Sequence, residues 1–152
     1  MKTHKLKILA PFADKITSGE KTFEVRRNDR AFESGDLLEF EAINEKTLEP
    51  EHHPINCQRY RVGYILRFED FPAGLAEGFA VLAITPEPGK WKEQEEYYNV
   101  YYECPICGEA YTSDYGTPEE MGWHFCPECG ARVEGTARLP ELNDEDEEEA
   151  ET

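Results

Sequence analysis

Residues 19–30 read G-E-K-T-F-E-V-R-R-N-D-R. From Thr22 to Arg26 polar and apolar residues alternate, the two-residue period of a β-strand with one buried face. Thr22, Glu24 and Arg26 fall on one side, Phe23 and Val25 on the other. The expectation is that Phe23 and Val25 face the core, and that the polar side presents a hydroxyl, a carboxylate and a guanidinium together.

Upstream, His4–Leu9 (HKLKIL) intersperses lysines with Leu6, Ile8 and Leu9 and reads as a first strand. Pro11 suits the first turn of a helix and Gly19 its exit, which predicts a short helix over Phe12–Thr17. Downstream, turns at 28–30 and 34–36 precede a strand at Leu37–Ile43, and Asn44–Gln58 reads as a polar loop that includes His52, His53 and Cys57. Tyr60–Phe68 is the next strand, and the apolar run Phe79–Ile84 (FAVLAI) has the length of a buried central strand. Five strands with one early helix predict a mainly β, α+β fold, a small and mostly antiparallel β-barrel over residues 1–86. Its expected core is Leu6, Ile8, Phe12, Phe23, Val25, Leu38, Phe40, Val62, Ile65, Leu66, Val81 and Ile84. Residues 87–102, opened by Pro86, Pro88 and Gly89, read as a linker or connecting element, helix or strand.

Two copies of one short motif follow, C-P-I-C-G at 104–108 and C-P-E-C-G at 126–130, with eighteen residues between the pairs. Two C-x2-C turns supply four soft thiolates to one tetrahedral ion, and this spacing is that of a zinc site. Cys104, Cys107, Cys126 and Cys129 are therefore the expected ligands of a structural Zn2+ in a ribbon over 103–138. Four closed ligands leave no open coordination position for catalysis. Cys57 is left over and reads as an inert thiol. His124, two residues before Cys126, is a weaker alternative ligand.

The net charge of −17 is unevenly spread. Residues 141–152 hold eight acids and no base, so 139–152 read as a disordered acidic tail. The first thirty residues carry eight Lys or Arg against four acids, so a local basic surface is compatible with an acidic whole. The lysine-rich start has no apolar stretch fit for a secretory leader or a membrane span. With thiols of metal-ligand spacing, this predicts a cytoplasmic protein and no membrane partner.

The order of small motifs over residues 3–86 carries a resemblance. H-x-L-K at 4–7 and P-F at 11–12 lead into G-x-K-x-x-E-x-R on Gly19, Lys21, Glu24 and Arg26. R-N-D-R at 27–30, Phe32 and G-D at 35–36 follow, then Y-x-L-R-F at 64–68 and G-L-x-x-G-F-x-V-L-x-I at 74–84. This resembles the ASCH domains of the PUA-like superfamily, in particular an uncharacterised bacterial and phage branch. The zinc ribbon lies outside that family core. The resemblance implies a β-barrel with a cleft beside the first helix that holds RNA or a nucleotide, lined by Lys21, Glu24 and Arg26.

In such a cleft Lys7, Lys21, Arg26 and Arg27 would contact phosphates, and Glu24 would accept hydrogen bonds from a base or ribose. Phe12, Phe32, Tyr60 and Tyr64 are candidates to stack a base. The bland alternative is a Glu24–Arg26 pair that only holds the sheet. Some small ASCH proteins hydrolyse N-acylated cytidine with a Lys, a Thr three residues later and a distant acid. Lys21 matches, but Glu24 stands at the Thr position and Thr22 is the nearest hydroxyl. A third expectation is a protein partner, bound through the ribbon and the acidic tail, since Arg132 and Arg138 are the only Lys or Arg beyond 102.

Overall fold

The computed structural model describes residues 1–97 and 99–137. The acidic tail and Arg138 lie outside the described residues. The fold is mainly β. Strands β1 (Thr3–Leu9), β2 (Phe23–Arg27), β3 (Leu37–Ile43), β4 (Arg59–Arg67) and β5 (Phe79–Pro86) form one sheet in the order β1-β3-β4-β5-β2. Helix α1 (Ala10–Thr17) follows β1 directly, with Pro11 in its first turn, and buries Ala13 and Ile16. The β1–β3 pair is parallel and the other pairs are antiparallel.

The sheet curls into a half-barrel around a core that includes Leu6, Ile8, Phe32, Leu38, Phe40, Tyr60, Val62, Leu82 and Ile84. Its two edge strands, β1 and β2, share no backbone ladder. Arginines bridge them instead: Arg26 Nη2 donates to the Lys7 carbonyl at 2.5 Å, and Arg30 Nη1 to the Lys5 carbonyl at 2.7 Å. Edge carbonyls that a closed barrel would give to a neighbouring strand are thus satisfied by guanidinium groups.

The expected facing of residues 21–26 is inverted. Glu24 is buried at 6% exposure, whereas Phe23 and Val25 are each 44% exposed. Phe12, also expected in the core, is 52% exposed, and Leu66 and Val81 are only partly buried. The physical reason is in the pairing of Glu24, described below. The 44–58 connection is also more ordered than a polar loop. His53 is buried, its Nδ1 accepts from Ile55 N at 3.1 Å, and its Nε2 is 2.8 Å from Asp14 Oδ1, which ties the 3-10 turn Pro54–Cys57 to α1.

Buried Asp36 pins the start of β1 to the turn before β3. Its carboxylate accepts from Lys2 N at 2.8 Å, Glu33 N at 3.0 Å and His4 Nε2 at 2.8 Å, so His4 carries its proton on Nε2. Burial alone would raise this carboxyl, but the three hydrogen bonds outweigh it and hold the pKa at about 2, below the ordinary 3.8. A depressed carboxylate stabilises the fold above its unfolded value and ceases to do so as pH falls through the folded one. The Asp36 contribution should be complete above pH ~4 and vanish toward pH ~2. Acid titrations of unfolding should show this step in the native chain and lose it in Asp36→Asn, whose amide places a donor against backbone N–H groups. An unchanged acid limb in the variant would refute the assignment.

The second sheet, in the order β8-β7-β6-β9, holds β6 (Gly89–Glu96), β7 (Asn99–Glu103), β8 (Ala110–Thr112) and β9 (Val133–Ala137). Most of residues 87–102 is therefore a β6–β7 hairpin of this sheet, and only Glu87 and Pro88 separate β5 from β6. Trp91 is fully buried with Tyr102, Val133, Cys104 and Cys126, and Tyr111 and Trp123 pack against it with ring centroids 6.0 and 6.2 Å away.

Candidate functional site

Two places collect the residues singled out by sequence. The first is the pair of C-x2-C turns. One lies between β7 and β8, the other just before β9. Each turns back on itself through a glycine in the left-handed region, Gly108 at φ 77° and Gly130 at φ 70°. Their amides donate to the carbonyls of Cys104 and Cys126 at 3.0 and 2.8 Å. All four Sγ atoms lie within 4.8 Å of one another, a group that could hold a metal ion. The Cys104–Cys129 and Cys107–Cys126 separations, 3.8 and 3.7 Å, exclude disulfides, whose S–S bond is about 2.05 Å. They match the edge of a tetrahedron with ~2.3 Å metal–sulfur bonds, which is ~3.8 Å. Among the described residues neither His124 nor the His52, His53, Cys57 segment joins a metal-ligating group.

The second place is the inner side of β2. Lys21 Nζ donates to Glu24 Oε2 at 2.5 Å and to the Phe23 carbonyl at 2.7 Å, and Arg26 Nε donates to Glu24 Oε1 at 2.9 Å. Both carboxylate oxygens are thus occupied by flanking cations that are themselves largely covered. This explains the inverted facing. Turning the strand over would break both ion pairs of a covered carboxylate, so Glu24 takes the inner side and Phe23 and Val25 the outer one. Glu24 holds Arg26 and Lys21, one on each carboxylate oxygen.

Arg26 leads to the seam. There Leu6, Arg26, Arg27, Asp29, Arg30 and Phe32 line a recess of about 210 Å3. Arg30 stands 4.0 Å from Asp29, so its charge is only weakly offset. Ala31, with φ 49°, makes the left-handed turn that sends Phe32 into the core immediately after Arg30 faces the seam. Lys7 joins through its carbonyl, while its side chain is exposed. Thr22 is exposed outside the strand. Of the stacking candidates, Phe32 and Tyr60 are buried, while Phe12 and Tyr64 are exposed. Sequence reading left Arg30 out of the site, because what brings it there is its contact with Lys5 across the seam.

Larger grooves, about 580 and 480 Å3, lie where the second sheet meets the barrel, on either side of Ile106. Neither contains a residue of the Lys21–Arg27 segment. Among the described residues no helix is long and apolar enough to cross a membrane.

A family model described as "Domain of unknown function (DUF3850)" matches residues 3–84. The chain is also similar to a solved structure named "Crystal structure of hypothetical protein PH0355", with 16% identity over 57% of this chain and 100% of that one, at a TM-score of 0.37. No curated protein matches.

Proposed function

This chain belongs to the DUF3850 family, and we propose that its half-barrel binds RNA or a nucleotide at the seam between β1 and β2, as the ASCH resemblance also suggests. The observation that supports this best is the fixing of Arg26 and Arg30 on the carbonyls of Lys7 and Lys5. Each guanidinium spends part of its donor fork on the protein and keeps the rest for the recess, already oriented. Donors placed in advance lose little entropy when a phosphate arrives, and the planar fork suits two phosphate oxygens at once. Arg27 adds a third cation beside them. Glu24 acts through Arg26 by holding its Nε.

Binding outranks amide hydrolysis as a reading. Lys21, which would have to activate a hydroxyl, is engaged by Glu24 and the Phe23 carbonyl, and Thr22 is exposed. The four-thiolate cluster is taken to hold zinc as a purely structural ion, because four cysteine ligands close the coordination sphere. A second reading, contact with a protein through the ribbon, is favoured by exposed Tyr97, Tyr115 and Phe125. Arg132 is also the single Lys or Arg from 103 to 137.

Fluorescence anisotropy of a labelled single-stranded RNA against salt tests the lead reading. The logarithm of affinity should fall linearly with the logarithm of salt, because phosphate contacts release counterions. Arg30→Ala and Arg27→Ala should each lower that slope by about one. Binding that ignores salt, or none at low salt, would count against it.

A further inference from the structure

The outward face of β2 carries Phe23, Val25 and Arg27 in register with Ala83, Val81 and Phe79 of β5, and Val81 stands opposite Leu66 of β4. A bulge between Val62 and Ile65 sets Gly63 and Tyr64 against Ala83, and Tyr64 is 69% exposed. Seven apolar side chains (Phe23, Val25, Phe79, Val81, Ala83, Tyr64, Leu66) thus share one partly or fully exposed sheet face. A contiguous patch of this kind marks an interaction surface.

From its chemistry we infer that this face is a stacking platform for single-stranded nucleic acid, distinct from the seam but joined to it through Arg27. The inference rests on the nucleic-acid reading above and extends it to a second surface. Three observations select this occupant. Aromatic rings and cations are interleaved: Lys21 Nζ lies 5.1 Å from the Phe23 ring centre and 5.9 Å from that of exposed Phe12, and the Arg27 guanidinium carbon lies 5.7 Å from the Phe79 ring centre. Bases stack on such rings without regard to sequence, and Arg27 at the end of the row is placed to follow the backbone, while Lys21, held by Glu24, braces Phe23. No outward-facing position of β2 or β5 carries a carboxylate, in a chain of net charge −17; Glu24 faces inward, Asp29, Glu77 and Glu87 lie beyond the strand ends, and Glu87 is paired with Arg61. Finally, seven side chains fall well short of the roughly 20–30 residues a side of a stable protein interface, and cations at the rim would repel a second copy. Phe23 and Val25, two positions apart, stand about 7 Å apart along the strand, and Arg27 follows at the same interval, so the row is long enough for more than one nucleotide.

The test compares a labelled single-stranded RNA 12-mer of mixed sequence with AMP, in the native chain, in Phe23→Ala/Tyr64→Ala and in Arg30→Ala. Removing two stacking rings should weaken 12-mer binding at least tenfold. Melting temperature, AMP affinity and the salt slope should not change. Native 12-mer affinity in the folded double variant would overturn the platform, as would equal losses for 12-mer and AMP. So would a native dimer that the double variant converts to monomer with RNA binding intact. AMP binding without 12-mer binding would remove the platform and leave the seam. A 12-mer lost in the double variant but indifferent to Arg30→Ala, with no AMP binding, would remove the seam and leave the platform. Binding of neither would remove both.

Discussion

Chelating the ion proposed for the four-cysteine cluster should unfold the second sheet while the half-barrel stays folded. The second sheet has little else to hold it. Its core is Trp91, Tyr102 and Val133 around two buried cysteines, with Tyr111 and Trp123 at the margin. A core this small does not offset the conformational entropy of the chain from Gly89 to Ala137 unaided. A bound structural ion contributes on the order of 10 kcal/mol or more. The half-barrel has its own core, which shares no residue with the other. We therefore expect a strong chelator, or Cys126→Ser, to red-shift the emission of Trp91 and Trp123 and to abolish one of two unfolding transitions. The transition followed by far-ultraviolet signal from the barrel should survive. Cys57→Ser, at an exposed thiol outside the cluster, should change neither. Elemental analysis of the native chain should give one zinc per chain. A chelated protein that keeps its tryptophan emission and both transitions would show that the thiols are bystanders.

The four-cysteine cluster was legible because its chemistry is written in spacing. Four thiolates in two C-x2-C turns need no knowledge of the rest of the fold, and Gly108 and Gly130 stand where each turn needs a left-handed residue. The strand period of residues 22–26 was equally legible, since alternation depends only on local backbone geometry. Which face turned inward was not. That choice depends on Lys21 and Arg26 both reaching Glu24, and on Arg26 finding a carbonyl on β1, nineteen residues earlier. Pattern alone assigns apolar residues to the core; a carboxylate with two cationic partners overrides it. Helix and strand stayed open for β6 for the opposite reason. Its sequence, GKWKEQEE, is polar on both faces apart from Trp91, so it carries no period. It is a strand because it lies between β7 and β9, each of which supplies a ladder. The parallel β1–β3 pairing and the arginine seam are likewise long-range facts. Arg30 belongs to the candidate site through a contact with Lys5, and no local motif announces that.

The triad that inverts β2 makes a second large expectation. Glu24→Ala should destabilise the half-barrel by about 3 kcal/mol, because it leaves two largely covered cations without their counter-charge. Lys21→Met should cost much less. In that variant Glu24 keeps Arg26 Nε at 2.9 Å, and the methionine stem still fills the space between Phe12 and Phe23. Glu24→Gln should fall between the two, since the amide oxygen can accept from one cation while the amide nitrogen opposes the other. Urea titration followed at the barrel should therefore rank the midpoints as native, Lys21→Met, Glu24→Gln, Glu24→Ala, with the last lowered by more than about 1 M. A merely decorative surface pair predicts a different result, all three variants within about 1 kcal/mol of native. The same series separates holding from binding. Glu24 does not line the seam recess, yet it fixes the Nε of an arginine that does. In the folded fraction of Glu24→Gln, RNA affinity should drop by about as much as in Arg26→Lys, which keeps the charge but loses the fork. If Glu24→Gln binds as tightly as the native chain, the carboxylate serves stability alone, and Arg30 and Arg27 carry the recess without an oriented Arg26.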